Sequence, residues 1–172
     1  MKLLPRDRFS IQTYQPLSAV ITTLKSHIEA PRVRWGFSHD HPPYMGKLSD
    51  SGFEIRRIIH YRNSFLPQIQ GQFETTPQGT IVHVTMGLHP LIMAFMLTWA
   101  SIWYTAAVPI TVLGALDGDV PLEMAFLFLG APLGMCLIFW SAFWYEAKRS
   151  RRDLAQILKG QPLPSNTSNQ IW

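Results

Sequence analysis

Charge is missing from two long stretches of this 172-residue chain. Pro90 to Leu113, 24 residues, and Met124 to Tyr145, 22 residues, contain no Lys, Arg, Asp or Glu. Crossing about 30 Å of hydrocarbon takes roughly 20 apolar residues at a helical rise of about 1.5 Å each. Both runs are long enough, and only the ten residues Gly114 to Glu123 separate them. The spacing predicts a transmembrane helical hairpin with spans at about 90–113 and 124–145. With no ionisable residue inside either span, an ion or proton path built from such groups is not expected.

Cysteine is nearly absent. The single one, Cys136, lies in the second span, which excludes an internal disulfide and a thiolate metal site. No G-x-x-x-x-G-K-[ST] or G-x-G-x-x-G phosphate loop occurs, and Ser64 has no G-x-S-x-G context. No cofactor is expected. MKLLPRDRFS offers no apolar h-region, so no secretory signal peptide is expected at the N-terminus.

Basic residues are missing from the GALDGDVPLE loop, whereas Lys148, Arg149, Arg151 and Arg152 follow the second span directly. Basic flanks stay on the cytoplasmic side. The expected topology therefore has both termini cytoplasmic and the acidic loop outside. At a membrane exit the KRSRR cluster reads as a topology signal, not a nucleic-acid patch. Residues 1 to 85 carry ten basic against six acidic residues, and 146 to 172 carry five against two. The expected partners are the lipid bilayer and another membrane protein or a homo-oligomer. Nucleic acid is not among them.

The polar N-terminal part carries the pattern of a small folded domain. Phe9, Ile11 and Thr13 alternate in an extended segment. Leu17, Val20, Ile21, Leu24 and Ile28 form one helical stripe, with Pro16 at its start and Pro31 to end it. VRWGFS, residues 33 to 38, reads as a short extended piece. Strands are then expected over about 44–49, 53–61, 68–76 and 80–88, separated by turns and not by helices. The predicted class is α+β: a small antiparallel meander sheet with one covering helix, followed by the two-helix transmembrane hairpin. The expected division is a cytoplasmic α+β domain over 1–88, a hairpin over 89–145, and a basic, largely disordered cytoplasmic tail over 146–172.

Chemistry is sparse. His39, Asp40 and His41 offer imidazole and carboxylate groups to a divalent ion, but H-x-H in a loop lacks the i, i+4 spacing of helical sites. The preferred reading is a polar loop, and a membrane-bound metal-assisted hydrolase using these three residues is the alternative. Arg56, Arg57 and Arg62 with Asn63 and Ser64 form a second cluster. Guanidinium forks suit oxyanions such as a phosphate or an acidic headgroup. The competing reading is a turn in which Asn63 and Ser64 bond their own backbone. Gly130 and Gly134 form a G-x-x-x-G, read as packing against the first span in preference to dimerisation.

GFEIRRIIHYRNSFLPQIQGQF followed by GTIVHVTMGLHPLIMAF resembles a group of small uncharacterised bacterial two-span membrane proteins, in which YRNSF and a P-x-x-x-G stretch precede two hydrophobic helices. The likeness covers about residues 44 to 113. It implies the same architecture, no assigned activity and no catalytic residue. The reading that follows is a membrane-anchored, non-enzymatic binding, scaffold or sensor module of unknown ligand.

Overall fold

A seven-stranded sheet organises the first of two units, which comprises residues 1–88 and 143–172. The computed structural model describes residues 5–29, 42–58, 66–118 and 121–163. The strands are β1 (Arg6–Thr13), β2 (Ile28–Glu29), β3 (Tyr44–Leu48), β4 (Gly52–Arg57), β5 (Gln68–Thr76), β6 (Gly79–Gly87) and β7 (Gln161–Leu163). Their order is β2-β3-β4-β5-β6-β1-β7. The expected meander is β3 to β6, each consecutive pair antiparallel. β1 adds antiparallel to β6 along all eight of its residues, from Arg6 opposite Gly87 to Thr13 opposite Thr80. β2 is the one parallel neighbour, on β3. The protein is thus α+β, with a mixed sheet.

Alternation decides which face is buried. Phe9 and Ile11 of β1, Phe53 and Ile55 of β4, Ile69 of β5 and Val82, Val84 and Met86 of β6 form one apolar face, each at most 5% exposed. Gly71 of β5 makes room on that face, since a Cβ there would overlap the ring of Phe53. The β5–β6 connection turns on Gly79, whose φ of +136° is open to glycine and not to other residues.

Helix α1 (Leu17–His27) covers part of this face through Val20 and Leu24. Pro16 is its N-cap residue, one position earlier than the sequence suggested, and the helix stops at Ile28, which turns extended to join β2.

A second cover comes from further along the chain. Helix α3 runs from Leu122 to Ile157, and its last part belongs to the sheet unit. Phe143, Ala147, Ser150, Leu154 and Leu158 are each 0% exposed; Leu158 follows directly after α3. Phe143, Ala147, Leu154 and Leu158 join the cluster of Phe9, Ile11 and Val84. The chain then turns at Lys159 (φ +46°) and lays β7 antiparallel along β1. The stretch from 146, expected to be a basic and largely disordered tail, is therefore folded as far as Leu163. Its apolar residues are separated by Lys148, Arg149, Arg151 and Arg152, so composition masks a stripe that helical spacing reveals. Residues 164–172 lie outside the described residues.

The second unit, residues 89–142, is a helical pair. α2 spans Pro90–Asp117, 28 residues, and starts at His89, whose Nδ1 accepts the Leu91 N–H at 3.1 Å. Pro90 at N1 has no N–H to leave unbonded. α2 ends on Gly118 in the left-handed conformation, φ +78°. The two helices are long and apolar enough to cross a membrane, and only 6% and 11% of their most apolar windows are buried.

Pro132 lies inside α3 within this unit. Lacking an N–H, it leaves the Phe128 carbonyl, four residues back, without its helical donor. The Trp103 indole N–H donates to that carbonyl at 2.9 Å, and the Tyr104 hydroxyl donates to the next one, Leu129, at 2.9 Å. A neighbouring helix thereby supplies donors to these two carbonyls. Trp99 stacks at a tilt on Trp103, with centroids 5.6 Å apart, and Trp103 lies 6.5 Å from Phe128.

Candidate functional site

Three groupings in the sheet unit carry polar chemistry. The first is buried between the sheet and the end of α3. Tyr44 and Arg57 are opposite each other on β3 and β4. Arg57 Nη2 donates to Asp153 Oδ2 at 2.7 Å, with side chains 11% and 30% exposed. Its Nη1 is buried without an acceptor, and the hydroxyls of Tyr44 and Ser150 are buried beside each other. Glu146, 1% exposed, lies one turn before Ser150 on the same helical face. Burial, and secondly the Asp153 carboxylate, push the Tyr44 phenol up to about 12. The Arg57 guanidinium, the Ser150 hydroxyl and Arg149 act in the opposite direction. A buried ion pair of this kind fixes orientation more than it adds stability. Here it sets the rotation of α3 against the strands.

The second grouping lies on the other face. The Ser10 hydroxyl is 2.8 Å from His83 Nδ1, and His83 Nε2 is 2.7 Å from Glu74 Oε2. Serine, imidazole and carboxylate in a row suggest nucleophilic catalysis. That chemistry also needs convergent donors for an oxyanion. Around these residues the strands are paired in the β1–β6 and β5–β6 ladders. Their backbone amides serve those ladders, so the chain of contacts is a cross-strand polar network on a half-exposed face.

The third is a shallow open groove of about 940 Å³ beside the β3–β4 turn, lined in part by Gly46, Leu48, Gly52, Phe53, Gly71 and Phe73.

The residues singled out from the sequence are divided by this geometry. Arg56 and Arg57 are adjacent in β4 and point to opposite faces. Arg57 is committed to Asp153, whereas exposed Arg56 donates from Nε to the weak acceptor Met45 Sδ, at 3.1 Å. The two arginines therefore do not grip one oxyanion from one side. Arg62, Asn63 and Ser64, like His39, Asp40, His41 and His60, lie outside the described residues. Among the described residues no three His, Cys, Asp or Glu side chains are grouped as metal ligands.

Tyr44, Glu146, Ser150 and Asp153 escaped the sequence reading. The i, i+3, i+7, i+10 spacing from Phe143 is the signal that places Glu146, Ser150 and Asp153 on one side of the helix. The Ser10–His83 contact depends on β1 pairing with β6, which periodicity alone does not specify.

Comparison of the chain with protein-family models, with curated proteins and with solved structures gives no match in any of the three.

Proposed function

We propose that the chain is a membrane-anchored binding module: α2 and α3 cross the bilayer as a pair, and the sheet unit works at the cytoplasmic surface without enzymatic chemistry of its own. One observation carries this reading. The most apolar 18-residue windows of α2 and α3 are only 6% and 11% buried, an outward apolar surface that water does not tolerate over such lengths. Leu91, Phe95, Leu97, Phe126, Leu127 and Leu137 are each at least 66% exposed.

The orientation follows from the basic residues flanking the hairpin and the acidic loop within it. The non-enzymatic part rests on the sheet's polar groupings: a buried ion pair and a cross-strand network with its amides in the ladders. A scaffold, sensor or accessory subunit fits such a unit.

The test is cysteine labelling in intact cells, with the Cys136→Ala chain as background. A cysteine replacing Leu116, in the last turn of α2, is expected to react with a membrane-impermeant maleimide added from outside. One replacing Tyr14, 83% exposed on the sheet unit, is expected to react only after lysis. Labelling of both positions from the same side would overturn the topology. Recovery of the full chain as a detergent-free soluble monomer would overturn the anchoring itself.

A further inference from the structure

We propose that the end of the sheet bearing Gly87 is a docking surface for anionic phospholipid headgroups, with Arg6, Arg8 and Arg56 as its contacts. The inference rests on the membrane-anchored reading and goes beyond it by naming the chemistry that one end of the sheet recognises.

Strand register assembles the surface. Arg6 is opposite Gly87, Gly87 opposite Gln68, and Gln68 opposite Arg56. The four residues form one rung across β1, β6, β5 and β4, on the face turned away from the core. Arg8 stands one pleat further along that face. With strands about 4.8 Å apart, the rung is about 14 Å wide. All three arginines are exposed, and no salt bridge among the described residues engages them.

Of the acidic groups of the same face, Glu29 ends the rung on β2, opposite Met45 and two strands beyond Arg56, and the others are placed elsewhere. Glu54 is opposite Lys47, and Glu74 is bound to His83. Glu74 lies six residues along β5 from Gln68, about 20 Å from the rung. The arginine end of the face therefore carries Arg6, Arg8 and Arg56 against the one carboxylate of Glu29 among the described residues, and the other end is neutralised.

Chain connectivity says what the positive end meets. Gly87 precedes Pro90, the first residue of α2, by three residues, so its backbone lies within about 10 Å of the helix start. The potential of an anionic leaflet decays over a Debye length of about 10 Å at 0.1 M salt. The other connection carries the same sign. Lys148, Arg149 and Arg152 form an exposed stripe of α3 just beyond the uncharged run. Guanidinium groups match phosphate oxyanions in geometry as well as charge.

Hydrogen exchange of the full-length protein in nanodiscs tests the proposal, comparing phosphatidylcholine with phosphatidylcholine plus phosphatidylserine. Each basic residue near an anionic surface strengthens attraction about fivefold. Backbone amides of residues 5–9 and 55–58 are expected to exchange at least about fivefold more slowly in the anionic discs, and to lose that protection at about 1 M salt, where screening shortens to about 3 Å. The Arg6→Gln/Arg8→Gln/Arg56→Gln chain is expected to lose the difference, and a Lys25→Gln control is expected to keep it. Equal exchange in the two lipids, with the protein inserted, would overturn the proposal and leave the anchored reading standing. Failure to enter the discs would instead overturn the anchored reading. Equal protection by inorganic phosphate in neutral discs would identify a small-anion site and overturn the lipid assignment.

Discussion

Residues 122–142 and 143–157 belong to one uninterrupted helix, yet they obey different rules. In the first part Phe126, Leu127, Leu133, Leu137 and Ile138 are each more than 60% exposed, and the buried residue is Pro132. In the second, Phe143, Ala147, Ser150 and Leu154 are fully buried while Lys148, Arg149 and Arg152 are exposed. The first part is apolar on all sides, as a segment solvated by lipid must be. The second is amphipathic and docks on a sheet, as a helix in water must. A change of solvent along a single element explains both patterns. It also explains why the two parts fall into different units of the structure.

The largest expected effect separates leucines on either side of that change. Leu154→Ala removes a side chain that is 0% exposed and is expected to destabilise the sheet unit by about 2–5 kcal/mol. Leu137→Ala, at a position 66% exposed, is expected to stay within about 0.5 kcal/mol. Urea unfolding in detergent, followed by the protection of β1 and β6 amides, measures both. Equal losses would mean that the two parts share one environment.

The next effect is a pH dependence confined to the second part. The Tyr44 phenol is raised from 10.0 to about 12, so the folded state holds its proton more tightly than the unfolded chain. The associated stability is complete below about pH 10 and is lost as pH rises to about 12, amounting to about 2–3 kcal/mol. Tyr44→Phe is expected to flatten this fall. At neutral pH the same change removes only the contact with the Ser150 hydroxyl and is expected to cost about 1 kcal/mol. Spectrophotometric titration of the phenol supplies the direct readout.

Asp153→Asn comes third. Removing the carboxylate leaves Arg57 largely buried beside a neutral amide, at an expected cost of about 1–2 kcal/mol. It also removes one of the causes that raise Tyr44, so the phenol is expected to titrate at lower pH. A Tyr44 titration unchanged by Asp153→Asn would dissociate α3 from the strand pair.

The smallest effect belongs to the first part. Trp103→Phe removes the donor to the Phe128 carbonyl, worth about 0.6 kcal/mol by the average for such bonds in membranes. In a Pro132→Ala background the N–H restored at position 132 can take that carbonyl. The same substitution is then expected to cost less, and a double-mutant cycle gives the difference.

These contrasts also explain what the sequence made legible. Continuous apolar runs such as Leu91–Leu97 announce themselves by length, and β6 (Gly79–Gly87) by strict alternation with core residues at Val82, Val84 and Met86. The end of α3 was obscured because its four basic residues dominate composition while its buried stripe needs only one residue per turn. β7, three residues long with Pro162 at its centre, has no local signature and is defined by its pairing with β1. Arg57 and Asp153 are 96 positions apart, and only the docking of α3 unites them. Arg56 was legible as a basic surface residue; its rung with Arg6 required the order β4-β5-β6-β1.

The most direct test is a spin-label accessibility scan along α3, one cysteine at a time from position 124 to 157 in the Cys136→Ala chain, in bilayers. Collisions with oxygen report lipid, and collisions with a water-soluble nickel chelate report water. The account predicts oxygen access around most of the helix up to about residue 142. Beyond it, access to nickel is expected to repeat every 3.6 residues, with minima at 143, 147, 150 and 154. Nickel access throughout positions 124–142, or lipid access continuing unchanged to 157, would contradict it.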